Sequence, residues 1–258
     1  EGLIGASRNG TGAEDDPERL AYHRLRHLAA HEIGHTLGIS HNYGASTFAD
    51  RASVMDYPAP WVLADGDRLD FSRAYTTGVG AWDRFVIDWL YGSAPPGQSD
   101  EARRQALAAG VAERGYRFVA DGDSRAGSPH PLGVHWDNGE DPFAEYANTM
   151  AVRRIALSRF GPDNIADGAP MAELQRTLVP IYLYHRYQTV GVARQIGGVD
   201  YSYAVKGDGT EVARVVAADR QRAALEALIA AASPAELDLR DDLLDLLSSA
   251  QSGVGDRQ

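Results

Sequence analysis

Hydrophobic and polar positions divide the chain into helical stretches separated by turn-rich connections. Residues 1–15 are dense in Gly, Ser, Asn, Asp and Thr, have no period, and predict a loop or arm. A long helix then has a defined start, with Asp16 as N-cap, Pro17 at the first helical position and Glu18 in the first turn. Leu25, Ala29, Ile33 and Leu37 recur every four residues and predict its core-facing stripe. Gly38 is the natural stop, because glycine accepts the left-handed conformation just past a helix end. Residues 39–68 lack a period and predict a structured loop region. Helices follow at Ala81–Tyr91, carrying Trp82, Phe85, Val86, Trp89 and Leu90, and at Asp100–Ala109, with a linker at 92–98 (GSAPPGQ) between them.

The second half continues in the same style. Residues 117–119 predict a short strand, 120–141 are turn-rich, and Asp141-Pro142 opens a helix running to about Phe160. Pro170 begins a long helical stretch, kinked near Pro180 and ended by Gly197-Gly198. Residues 199–205 alternate and predict a strand. Ser233-Pro234-Ala235-Glu236 reads as a capping box before Leu237, Leu239, Leu243, Leu244 and Leu247. The fold class predicted is mainly α with few short strands, arranged as an arm over 1–15 and a domain over 16–258.

Composition narrows the function classes. The 258 residues carry 36 acidic and 25 basic side chains, a formal charge of −11. That balance repels phosphate backbones and no basic stripe offsets it, so nucleic acid is not an expected partner. No apolar run approaches the roughly 20 residues of a membrane-spanning helix. With no cysteine, disulfides, thiolate metal sites and cysteine nucleophiles are excluded, and any metal must be held by nitrogen or oxygen. The chain starts at Glu1 without methionine or signal peptide, which reads as a piece excised from a longer polypeptide.

Residues 31–41 carry the chemistry: His-Glu-Ile-Gly-His-Thr-Leu-Gly-Ile-Ser-His. His31 and His35 lie one turn apart on one helix face and can grip one ion. The predicted apolar stripe lies roughly opposite, so the core anchors one side while the ligands look out from the other. Glu32 stands beside the ligands, placed to take a proton from a water that the metal activates. Gly38 lets the chain leave the helix sharply, and His41 can return as the third nitrogen ligand. Three neutral imidazoles leave zinc one open position, the mark of a catalytic rather than a structural site. A chance match to the whole pattern in a chain this long is on the order of one in 10⁴ to 10⁵.

This pattern resembles the metzincin metalloproteases, whose His-Glu-x-x-His-x-x-Gly-x-x-His motif is followed by a methionine turn. Ser53-Val54-Met55-Asp56-Tyr57 matches that turn. The resemblance implies that Met55 packs beneath the histidines as an apolar floor. It implies that Tyr57 is an extra zinc ligand or a hydrogen-bond donor to the oxyanion; simple packing under the loop is the other reading. More narrowly, the chain is similar to the metzincin domain of a large bacterial family of zinc-dependent metalloproteases with poorly characterised flanking domains. VMDYPAP, GVGAWDRFVIDWLYG, WDNGEDP, LVPIYLYHRYQ and IGGVDY extend that likeness over about residues 15–205. It implies one catalytic zinc, peptide or protein substrates, export to the periplasm or beyond, and partner domains within the same polypeptide. Metzincins usually place a twisted sheet before the active-site helix, and the 30 residues before His31 are too few for it.

Other constellations are weaker. His23 and His27 extend the histidine ladder and read as a solvated helix surface. Asp121-Gly122-Asp123 and residues 137–141 offer calcium-like oxygen ligands, although turn and capping roles account for most of them. His130, His135 and His185 read as structural, with one of them able to line the cleft. The aromatic residues of 81–91 and 181–187 read as core supporting the zinc helix, and 58–61 as a wall of the pocket beyond the cleaved bond. Three functions remain open: a zinc endopeptidase, a zinc-binding but catalytically incomplete docking module, and a zinc hydrolase of non-peptide amides or esters.

Overall fold

The computed structural model describes residues 2–8 and 10–250; residues 251–258 of the expected domain lie outside the described residues. Ten helices and four short strands are seen among the described residues. Helix α1 (Pro17–Thr36) starts as its sequence demands, with the Asp16 carboxylate accepting from the Glu18 backbone N–H and also from those of Gly10 and Gly12. Leu37 closes it and Gly38 turns away at φ +82°. Strands β1 (Leu63–Asp65) and β2 (Arg68–Asp70) form an antiparallel hairpin with Ala64 opposite Leu69. Helix α2 (Ala81–Tyr91) follows, and α3 (Asp100–Ala109) packs back on it, capped by Ser99.

Beyond the one-turn α4 (Asp121–Ser124) comes α5 (Pro142–Arg159), whose N-terminus is capped by Asp141. The rest is α6 (Glu173–Tyr182), α7 (Arg186–Ala193), the strand pair β3 (Val199–Tyr201) and β4 (Ala213–Val215), α8 (Ala218–Ala231), α9 (Pro234–Leu237) and α10 (Asp241–Leu247). The fold is mainly α, with only two two-stranded sheets among the described residues, and the usual metzincin upstream sheet is not part of it. No helix is long and apolar enough to cross a membrane among the described residues.

Helix α5 is the hub. Its Val152 packs on Val62, Phe71 and Ala74 around the hairpin, and its Ala156 with Phe160 meets Leu174, Leu178, Ile181 and Leu243. Its Tyr146 and Met150 meet Val192 and Ala224. Buried on several sides, α5 also buries Arg153, which donates to the Tyr182 carbonyl at 2.7 Å and faces Glu236 at 3.6 Å.

Several expectations fail, each for a physical reason. The Leu25, Ile33 and Leu37 stripe does not face the core: these side chains are 59%, 58% and 37% exposed. The buried residues of α1 are His27, His31 and Gly34, so the helix turns its histidine face inward. His27 is therefore not on a solvated surface; it is 3% exposed with Nδ1 3.3 Å from the Thr76 hydroxyl. His31 reaches the Val54 carbonyl and Gly34 lies against Met55, and these contacts override the hydrophobic period. Residues 117–119 form no strand, because their backbone groups are taken by Asn42, whose amide donates to the Arg117 carbonyl and accepts from the Val119 N–H. The Ser233 side chain makes no capping bond, and the leucine run splits after one turn where Arg240 reaches back to the carbonyls of Leu157 and Phe160. Helix α8 escaped sequence reading because its alanines give only a faint apolar period.

The inverted stripe is directly checkable. Ile33→Ala should change unfolding free energy by no more than about 0.5 kcal/mol, as at an ordinary surface site. Leu174→Ala, in the α5–α6 core, should cost about 2–5 kcal/mol. Denaturant titration of both variants separates this arrangement from one in which the stripe is core.

Candidate metal centre

His31 and His35 project from adjacent turns of α1, and the chain leaving Gly38 brings His41 back to them. Nε2 of His35 lies 3.1 Å from Nε2 of His31 and 3.1 Å from Nε2 of His41. One ligand atom from each histidine falls within 4.8 Å of the others, the one such group of three found among the described residues. Each Nδ1 faces an oxygen that can only accept: the Val54 carbonyl at 2.7 Å, the Ile39 carbonyl at 3.0 Å and Asp121 Oδ1 at 2.7 Å. The ring protons therefore sit on Nδ1, and three Nε2 lone pairs point at one another. That arrangement is repulsive without a cation among them. Nitrogens on a tetrahedral zinc at about 2.0–2.1 Å lie roughly 3.3 Å apart, so the spacing fits the metal. Burial, reinforced by the neighbouring imidazoles, lowers the His31 pKa and keeps the ring in its neutral, ligating form.

Met55 is fully buried beneath the helix, packed with Ile39 and Val54. A Cβ on Gly34 would stand 2.3 Å from Met55 Sδ, so the glycine between the two helical histidines makes room for the methionine. The turn is held by Asp83 on α2, whose carboxylate accepts from the Ser53 hydroxyl and from the backbone N–H groups of Val54 at 2.9 Å and Gly80 at 2.7 Å. Gly80 admits no side chain, since its Cβ would sit 1.8 Å from the Ala52 carbonyl oxygen. Helix α2 supports the site through its aliphatic Val86, Ile87 and Leu90 against the Met55 cluster, while its Trp82 and Phe85 pack with Ala45, Phe48 and Ala52.

Tyr57 is half-buried, its ring centroid 4.9 Å from that of His31 and 4.8 Å from that of His41. Burial first, then the negative charges of Glu32 and Asp121, raise its pKa and keep the phenol protonated near neutral pH. Glu32 is exposed beside the ligands.

The structure adds residues that the motif does not contain. Asp121 accepts from His41 Nδ1 and, at 3.2 Å, from the Tyr43 hydroxyl. Burial opposes its ionisation, yet the bonds from His41 and Tyr43 hold its carboxyl below the usual range. His135 stacks on Tyr43 with centroids 4.4 Å apart, so it is the histidine of its group that reaches the site. The Ser124 hydroxyl donates to the Asp121 carbonyl and so accepts from His135 Nε2 at 3.0 Å. Trp136 donates its backbone N–H to the Tyr57 carbonyl at 2.8 Å and packs its ring 5.6 Å from that of Tyr57. Trp61, in the segment expected to form a pocket wall, is held between Arg51 and Arg73 and donates to Glu145. Asp123 accepts from Tyr201 and Tyr203, while Asp137 accepts from Ser46. The sequence signal at Asp121 was the calcium-like character of Asp121-Gly122-Asp123, which is too local to show a histidine partner 80 residues away.

The Met-zincin family model matches residues 13–257. The chain belongs to this family. No curated protein and no solved structure matches it. Met-zincin membership implies zinc, and His31, His35 and His41 are the residues that fit it.

Two variants probe this centre. Gly34→Ala would ordinarily stabilise a helix interior by about 1 kcal/mol. Here it should lower both melting temperature and zinc affinity, because the new methyl displaces Met55. Asp121→Ala should weaken zinc binding about 10–100-fold in competition with a chromophoric chelator while the far-ultraviolet dichroism stays unchanged.

Proposed function

We propose that this Met-zincin chain is a zinc endopeptidase. The convergence of three Nε2 lone pairs, with a carboxylate beside them and a phenol above, supports the reading most directly. In it, His31, His35 and His41 hold zinc through Nε2. When bound there, zinc polarises a scissile carbonyl and acidifies a water molecule. Glu32 accepts that water's proton as the water oxygen adds to the carbonyl carbon, and passes the proton to the amine nitrogen as the C–N bond breaks. The protonated Tyr57 hydroxyl donates to the carbonyl oxygen as it gains negative charge. Asp121 and the carbonyls of Val54 and Ile39 fix the imidazole tautomers and hold the rings in place. Met55 and Gly38 shape the floor and the exit of the helix. Peptide substrates and export of the parent polypeptide follow from the family resemblance and belong to the same proposal.

Glu32→Ala should retain one zinc per chain and lose cleavage of a quenched-fluorescence peptide library by at least about 100-fold. Full activity in that variant would overturn the mechanism.

The exposed stripe of α1 favours a second reading. A helix that carries its ligands inward and Leu25, Ile33 and Leu37 outward presents an apolar face that another part of the polypeptide could cover. The module would then bind zinc but lack one wall of its cleft. Stoichiometric zinc with no cleavage by the isolated chain is the outcome that would favour it.

A further inference from the structure

His31 and His35 occupy only one end of the histidine face of α1. Seven residues earlier on the same face stands Arg24, about 10.5 Å along the axis from His31. Its guanidinium carbon lies 5.7 Å from the centroid of the Trp136 ring. Arg24 takes part in no ion pair among the described residues, although acidic side chains outnumber basic ones in the chain. The charges felt by neighbouring His27 are also all positive: after burial, those of Arg24 and Arg51 push its imidazole down to about 4.

Trp136 is placed with some strain. Its φ of +65° is a left-handed conformation that costs a bulky L-residue energy, and such outliers persist where their surroundings enforce them. Its N–H donates to the Tyr57 carbonyl, and its own carbonyl accepts from the Gln188 amide at 3.2 Å. The result is a continuous aromatic surface, from Tyr57 beside the histidines to Trp136 and on to Tyr187 at 5.9 Å. A cation lies over each of the last two rings, Arg24 over Trp136 and Arg186 over Tyr187 at 4.2 Å. An extended peptide advances about 3.3 Å per residue, so 10.5 Å corresponds to roughly three residues.

We propose that Arg24, seated over Trp136 along α1 from the three histidines, selects substrates that carry a carboxylate two to four residues from the cleaved bond. The proposal rests on the zinc peptidase reading and deepens it. The guanidinium recognises the carboxylate by paired charge-assisted hydrogen bonds, and the aromatic surface holds the intervening peptide. An acidic side chain and a peptide C-terminus offer the same group.

Peptide hydroxamates test this on the zinc-loaded chain, because the hydroxamate fixes the register at the metal. Two series carry it at either end, and each scans Glu against Gln along the peptide and a terminal carboxylate against its amide. Affinities are read by displacement of a fluorescent hydroxamate, with no turnover required. The expected result is about tenfold tighter binding of one Glu member over its Gln partner, two to four residues from the anchor. A preference confined to the terminal carboxylate would assign the site to a chain end instead, still through Arg24. Arg24→Ala should abolish the preference without moving the Gln affinity, and Arg24→Glu should transfer it to a Lys peptide. A purely packing role would shift the Glu and Gln members equally, and that result would overturn the proposal, as would a Glu preference surviving in Arg24→Ala. Failure of every hydroxamate to bind would overturn the peptidase reading itself, and this proposal with it.

Discussion

Three imidazoles whose Nδ1 protons are committed elsewhere can bring their Nε2 atoms together only around a cation, and much of the local structure follows from that constraint. The committed protons require three acceptors in fixed places: the Val54 and Ile39 carbonyls and the Asp121 carboxylate. Val54 is held by Asp83 of α2 through its own N–H, so the first helix, the methionine turn and the second helix become one unit. Asp121 opens the one-turn α4, which Arg194 of the helical second half secures by donating to the carbonyls of Asp123 and Ser124. The candidate metal centre thus draws on elements more than 100 residues apart in sequence, although its three histidines span only His31 to His41.

The loop region between α1 and α2 is held by buried polar groups more than by secondary structure. Ala49, Asp50 and Arg51 take consecutive left-handed conformations, which turns the buried Arg51 side chain toward Asn138 Oδ1 and the carbonyls of Ala59 and Ala74. Burial lowers its pKa to about 10 but leaves it charged at neutral pH. Below Tyr57, Asp56 accepts from the Ser46 and Tyr57 N–H groups, and the Ser46 hydroxyl donates to Asp137. Burial raises the Asp56 pKa to about 7, and burial with the nearby Asp56 charge raises that of Asp137 as well. Two buried carboxyls linked through one serine resist full ionisation, and Arg51 supplies part of the compensating charge.

What was legible in the sequence was local. Asp16-Pro17 and Asp141-Pro142 marked helix starts because capping and proline chemistry act within a few residues. The eleven-residue histidine motif was legible because helix geometry alone brings His31 beside His35. The orientation of α1 was not, since four-residue spacing identifies a stripe without saying whether the core or another surface receives it. Residues 117–119 misled for a related reason: strand-like composition was satisfied by one asparagine side chain from a distant loop. Asp121, His135 and Trp136 were beyond reach because their roles depend on contacts across the fold, although the first two stood among the residues singled out for other reasons.

The inward turn of the histidine face has a consequence for the whole module. A helix buried on a polar face must satisfy that face with partners, and α1 does so through the Val54 carbonyl of the methionine turn and the Thr76 hydroxyl, with His31 and His35 placed where a metal fits. It then has no remaining core for its apolar side, so Leu25, Ile33 and Leu37 remain outside. Arg24 shares the face of the histidines, so the same rotation sets it against Trp136, where it pairs with no carboxylate among the described residues. One rotation about the helix axis therefore decides both what surrounds the metal and what the surface offers. The convergence of the histidines outweighs the hydrophobic period because no rearrangement of other residues can replace three nitrogens brought to one point, whereas an exposed leucine costs only the modest area it leaves in water.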